Sequence, residues 1–537
     1  MNTEPQLNSS AVAESGGAAS STGPAGAPHR IQPPYYPIVY VRGYAMRAAE
    51  REETFYDTYY GFSATSVEKR QAPPGTWFKA DVFEGQFIRF MKSHGYRDEV
   101  NLGLEDGSGN PSRAIWICRF YDEDYLTERL RSIEQHAADL DRLLTTDIPQ
   151  RLEACGVDLG PERGDYKVIL LAHSMGGLVC RTLIQNILPG RGEDPKRWIY
   201  RLVTMGTPHR GIDLGRIPDF LEDFVVSSLN PFDANIFKQE RMREYLKLVP
   251  EYDLHSLGSE GDPLSFPVKR CLCIIGSDHT AYRVALGLVK EATGNFSDGL
   301  VRQDRAYLVA GQAPPAGQTY PPERRAFWAN VHRAHSGFRG IVNSYESYEN
   351  IQRFLFGDTM AEIALEGITL QSELDARQFY DFEFLFSIRN TGTYLHRVQQ
   401  DPCENAMRFN REELPQRLVL HTGFMNSKYR DPNSPYSRFA MKLRVIEHRL
   451  GSKALWDREY PERSIYDETL EMRVGDVVET MGAMRVQYRW LSDTADFVDA
   501  VWSDDEAFRV PLRATGAFAG EIAIRVGKWP DPELTRD

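Results

Sequence analysis

Short apolar runs alternate with stretches of helical period through roughly the first two-thirds of the chain. Residues 37–44, 113–120, 167–173, 198–205 and 268–275 are rich in Val, Ile, Leu, Tyr and Cys with few polar interruptions. That pattern predicts strands buried on both faces of a parallel sheet. Between the second and third of these runs, Leu126, Leu130, Ile133, Ala137, Leu140 and Leu144 recur at steps of three and four, predicting a long helix over about 125–155 that stops at Gly156. Ile217, Phe220, Leu221, Phe224, Val225 and Leu229 make a second helical stripe, and Tyr348, Ile351, Phe354 and Leu355 a last one closed by Gly357. Strands alternating with helices predict an α/β domain over about 34–358.

From about Ala361 the period falls to two. Phe382, Phe384, Phe386 and Ile388 alternate with polar partners, as do Phe439, Met441, Leu443 and Val445, and later Ile522, Ile524 and Val526. Turn clusters such as residues 430–435 separate these segments. Alternating strands with no helical period among them predict an antiparallel β-sandwich over 359–537. No chemistry-bearing motif is visible there.

Composition narrows the function class. In 537 residues, 63 Lys and Arg stand against 76 Asp and Glu, a formal net charge of −13, which argues against a nucleic-acid partner. The six cysteines show neither C-x-x-C nor zinc-finger spacing. Cys118, Cys180, Cys271 and Cys273 fall in apolar runs, where a thiol behaves as a small hydrophobe. No run approaches the roughly 18 apolar residues of a membrane-spanning helix. Residues 1–33 are rich in Ser, Ala, Gly and Pro, with no basic start and no apolar h-region, and are expected to be a disordered tail and not a signal peptide. The expected location is the cytoplasm, or outside the cell by a route that needs no signal. Residues 106–110 are a weak calcium-loop match with an incomplete ligand pattern, and no metal or organic cofactor is expected.

The chemistry concentrates in Lys167-Val-Ile-Leu-Leu-Ala-His-Ser-Met-Gly-Gly-Leu-Val-Cys180. An apolar strand runs into Ala172-His-Ser-Met-Gly176 and then into a helix. Small residues two before and two after Ser174 let the chain reverse sharply, lifting the hydroxyl clear of the sheet and aiming the next N–H, that of Met175, at an oxyanion. A serine that merely caps a helix would not demand small neighbours on both sides.

This stretch resembles the nucleophile elbow of the α/β-hydrolase superfamily, in the lipase-like branch where Ala replaces the first glycine; bacterial lipases and GPI inositol-deacylase-like hydrolases are similar. The resemblance implies an α/β-hydrolase fold with a helical cap, here about 212–267. Gly206-Thr-Pro-His-Arg-Gly211 recurs in the same branch, with His209 expected to be structural. Arg42-Gly43-Tyr44 matches the loop whose backbone supplies a second oxyanion donor, Tyr44, although Arg stands where His is usual. Two acids fit the order nucleophile, acid, histidine: Asp278 at a strand end, and Asp298 in Asp-Gly-Leu-Val, whose wording is closer to the family's acid loop. Two histidines compete likewise, and His335 in His-Ser-Gly-Phe matches better than His332.

The activity implied by the resemblance is that of a serine esterase or lipase acting on lipid or acyl esters through Ser174, His335 and Asp298. A phospholipase-type effector that contacts a foreign membrane, and a non-catalytic binding protein retaining the fold, are the alternatives. Oligomeric state is not legible.

Overall fold

The computed structural model describes residues 29–43, 68–70, 79–81, 85–99, 110–120, 122, 124, 131–212, 235–259, 261–280, 296–315, 318–336, 340–370, 378–431, 433–449, 462–478, 483–494 and 496–530. Seven strands form its central sheet: β1 (Ile38–Val41), β2 (Arg97–Asp98), β3 (Ala114–Cys118), β4 (Val168–His173), β5 (Ile199–Met205), β6 (Cys271–Gly276) and β7 (Phe327–Val331). Their spatial order is β2-β3-β1-β4-β5-β6-β7, and every pairing is parallel. The central strands β1, β3, β4, β5 and β6 are buried almost throughout, as continuous β-branched runs require.

Helices cover this sheet. α1 (Gln86–His94) buries Phe87 and Phe90, and the left-handed Gly95 ends it. α2 (Ile133–Arg142) opens on a capping box in which the Ser132 hydroxyl accepts from Gln135 N–H and the Gln135 side chain accepts from Ser132 N–H. It runs on through a wide turn at Leu143–Asp147 to Ala154, with Ile133, Ala137, Leu140 and Leu144 all buried. α3 (Met175–Thr182) is buried on every side. α4 (Gln239–Tyr245) sends Met242 and Tyr245 into the same core. The described part of the expected cap therefore packs on the body, and Asn186 Nδ2 donates to Tyr245 O at 3.1 Å. The apolar stripe 217–229 lies outside the described residues, as do 125–130, most of the expected tail and the weak calcium match at 106–109. α5 (Tyr345–Phe356) closes the unit, capped by Ser344.

The described strands that follow α5 make two antiparallel sheets around a second core. Thr359–Leu370 sits between Arg417–Met425 and Phe518–Lys528, which continues to Ala507–Pro511 and Val501–Ser503. Gln378–Ile388, Ser437–Arg449, Glu462–Val478 and Ala483–Trp490 lead the facing sheet. Register places Phe382 opposite Val445, Phe384 opposite Leu443, Phe386 opposite Met441 and Ile388 opposite Phe439, so the alternating residues of two strands meet pairwise and are buried.

The sandwich is docked on the α/β unit by specific contacts. Phe327 of β7 and Phe354 of α5 meet Phe424 and Trp529, with ring centroids 4.7 to 6.0 Å apart. Trp529 Nε1 donates to Phe354 O at 2.7 Å, and the buried Arg201 guanidinium lies 4.2 Å from the Trp529 ring. Asn330 N–H of β7 donates to His396 Nδ1 at 3.0 Å. The His396 ring stacks on His421 at 4.2 Å, and burial pushes both imidazoles down, His396 to about 3.

Candidate active site

Ser174 is the junction of β4 and α3. Its backbone has φ 53° and ψ −128°, a left-handed conformation that costs a non-glycine residue about 1–3 kcal/mol. The surroundings enforce it: Ser174 N–H donates to Met205 O at 2.9 Å, and Ser174 O accepts from Gly177 N–H at 3.1 Å. Three neighbouring glycines leave no room for a side chain. A Cβ on Gly176 would lie 2.3 Å from Val41 O and 2.5 Å from Arg42 O, one on Gly177 2.3 Å from Thr207 Oγ1, and one on Gly43 2.6 Å from Ser174 Cβ. The loops after β1 and β5 thus press directly on the start of α3. Gly176→Ala is expected to cost about 1–3 kcal/mol through displacement of the end of β1. Thermal melting and esterase turnover measured together should fall together; a variant that melts and turns over like the wild type would contradict this packing.

A parallel sheet with this strand order, crossed by a strained strand-serine-helix turn at its centre, decides the architecture. The fold is that of the α/β-hydrolases.

Three side chains from separate loops converge at that turn. His335 Nε2 lies 2.9 Å from Ser174 Oγ, and His335 Nδ1 lies 2.9 Å from Asp298 Oδ2. A carboxylate only accepts, so Nδ1 carries the proton and Nε2 is left to accept from the serine hydroxyl. All three residues are buried. Asp298 is itself fixed: its Oδ1 accepts from Leu300 N–H at 3.0 Å and Val301 N–H at 2.7 Å, and its backbone O from His335 N–H at 2.8 Å. Gly206 (φ 56°) and Gly276 supply the space, since a Cβ at either would fall 2.9 or 2.7 Å from Asp298 atoms.

The other candidates lie elsewhere. Asp278 Oδ1 accepts from Thr280 N–H and Oγ1 at 3.0 and 2.7 Å, a local turn after β6. His332 Nδ1 lies 3.3 Å from Ser277 Oγ. His209 is fully buried beside Thr204 Oγ1 at 3.0 Å, and burial, with the Arg181 field second, pushes its imidazole well below the ordinary histidine range. Met175 is the first residue of α3, where backbone N–H groups have no partner within the helix. Tyr44 lies outside the described residues. Among the described residues no group of three or more His, Cys, Asp or Glu is placed to hold a metal ion.

His173, to which the elbow motif assigns no role, also joins the site. Its Nε2 lies 2.9 Å from His335 O, so Nε2–H donates and ties the elbow to the histidine loop. Burial, then the field of His335, keeps this ring neutral. Its position directly before the nucleophile was the available signal.

No family model matches the chain, and no curated protein matches it by sequence. Among solved structures it is similar to the mature lipase BlEst2 of Bacillus licheniformis, at 14% identity and a TM-score of 0.29 over 57% of this chain and 89% of that one. It is also similar to the phospholipase PlaB of Legionella pneumophila, at 11% identity and 0.32 over 80% and 91%. A putative cell surface hydrolase of Lactobacillus plantarum matches at 13% identity and 0.21 over 54% and 86%. These are distant likenesses.

Proposed function

We propose that the chain is a serine hydrolase that cleaves carboxylic esters of lipid or acyl type through an acyl-enzyme. The observation that carries this reading is the continuous relay Ser174 Oγ, His335 Nε2, His335 Nδ1, Asp298 Oδ2, with both links at 2.9 Å. His335 removes the serine proton as Oγ attacks the ester carbonyl, then returns it to the leaving alcohol. Asp298 holds the tautomer and stabilises the imidazolium. Met175 N–H, with Tyr44 N–H as the second donor, would receive the oxyanion; each such donor is typically worth ~3 kcal/mol. Water activated by the same imidazole then releases the acyl group.

The test is a p-nitrophenyl ester series from short to long acyl chains. Turnover rising with chain length is expected for a lipid-ester enzyme. Absence of turnover on the whole series, with no labelling of Ser174 by a fluorophosphonate, would leave a binding protein that keeps the fold.

A further inference from the structure

A second polar cluster lies next to the acid loop, and ester cleavage as described makes no use of it. Its centre is Arg181, fully buried on α3, whose Nη1 donates to His209 O at 3.0 Å and whose Nη2 donates to Leu254 O at 2.8 Å and Ser256 O at 2.9 Å. These carbonyls belong to the residue before Arg210 and to the two residues flanking His255, so one guanidinium fixes the backbone on which both are carried. Val309 N–H donates to His255 O at 3.1 Å, and Val309 is bridged in turn to Arg325. Three segments are thereby drawn together, carrying Arg210, His255 and Arg325.

The polar groups here are not satisfied by the protein. His255 is 1% exposed, edge-on to Tyr307 at 4.9 Å and Tyr320 at 5.5 Å, and neither of its ring nitrogens has a hydrogen-bond partner. Arg325 Nε is also buried without a partner. Among the described residues no carboxylate pairs with Arg210 or Arg325, and the nearby Asp253 accepts from Tyr320 Oη at 2.8 Å. Buried polar groups are almost always bonded, so orphaned nitrogens beside half-buried guanidinium groups call for a missing acceptor. Burial and the fields of Arg210, Arg181 and Arg325 push the His255 imidazole down to about 2. An entering anion would convert that mutual repulsion into charge-assisted hydrogen bonds.

We propose that Arg210, Arg325 and His255 form a subsite for a phosphate-type oxyanion beside the Ser174 centre. Two guanidinium forks and an imidazole offer more donors than the two oxygens of a carboxylate would use, and they suit the three or four oxygens of a phosphate. The subsite shares its loops with the relay: Gly206 abuts Asp298 and His335 four residues before Arg210, and Arg210 N–H donates to Arg305 O at 3.2 Å, beyond the acid. On the ester-cleaving reading, on which this point rests, the substrate class becomes an ester that carries a phosphate group.

Calorimetric titration of inorganic phosphate into the full chain at constant ionic strength is expected to show saturable binding. Arg210→Gln and Arg325→Gln are each expected to weaken it at least about tenfold, and Arg210→Lys, which keeps the charge but loses the fork, to weaken it as well. The Ser174→Ala chain should bind phosphate like the wild type. In parallel, the turnover ratio of phosphatidic acid to neutral diacylglycerol in mixed vesicles should fall in the Gln variants. Variants that melt like the wild type and bind phosphate equally well, or a wild type that does not bind it saturably, would overturn the subsite. Phosphate binding lost in the variants without any hydrolysis by the wild type would support the subsite and overturn the ester reading alone. Binding lost with the substrate ratio unchanged would support a site for free phosphate and overturn a headgroup role.

Discussion

Ser174→Ala is expected to lower kcat/KM on any ester that the wild type turns over by roughly 10⁴-fold or more, with the melting temperature unchanged or raised. The size follows from the nucleophile's role: without Oγ there is no acyl-enzyme, and oxyanion donors and binding alone leave only a small residual rate. The lack of a stability cost follows from the backbone. Ser174 sits at φ 53°, and its hydroxyl makes its bond to His335 and not to a helix N–H, so alanine loses no cap. Steady-state kinetics on a p-nitrophenyl ester and a thermal melt on the same preparation read both. A variant within tenfold of the wild type would exclude Ser174 as nucleophile.

Asp298→Asn is expected to reduce kcat by about 10⁴-fold in a folded protein. The geometry says why the isostere fails. Leu300 and Val301 N–H both donate to Oδ1, which holds an acceptor at that position, so an asparagine places its amide nitrogen against His335 Nδ1. Nδ1 must then accept, the ring proton moves to Nε2, and Nε2 no longer takes the serine proton. Asp278→Asn keeps its acceptor for Thr280 and is expected to stay within a few-fold of the wild type. Equal losses from the two substitutions would remove Asp298 from its proposed role.

Strands buried on both faces are legible in the sequence because their signal is a continuous apolar run. Ile38–Val41, Val168–His173 and Ile199–Met205 each fall within the run that predicts them, and Cys271–Gly276 passes the end of its run by one residue. β7 is not legible in this way, since Phe327-Trp-Ala-Asn-Val331 alternates in burial and carries an asparagine, the pattern of a strand shielded on one side only. Of the site, Ser174, Asp298 and His335 stand together where motif wording pointed, whereas Asp278 and His332 are turned to local partners. His173 and Arg210 lie inside motifs that assign them no role, and His255 and Arg325 lie in none of the motifs. Arg210 and His255 are brought together by Arg181, which gathers the carbonyls of His209 and Leu254, 45 residues apart in the chain, and spacing along the chain does not encode that contact.

The bond from Asn330 to His396 has a consequence for how this chain is made. β7 ends the sheet, so its outer side is a row of backbone donors and acceptors able to pair with a strand of another molecule. The sandwich covers that side, with Phe424 and Trp529 sealing the phenylalanines beneath. The cover is translated after the surface that it covers, and Trp529 follows the final long strand. A nascent chain that has been made as far as His335 therefore still exposes a sticky flank, and the sandwich, made later, acts as an intramolecular guard against self-association.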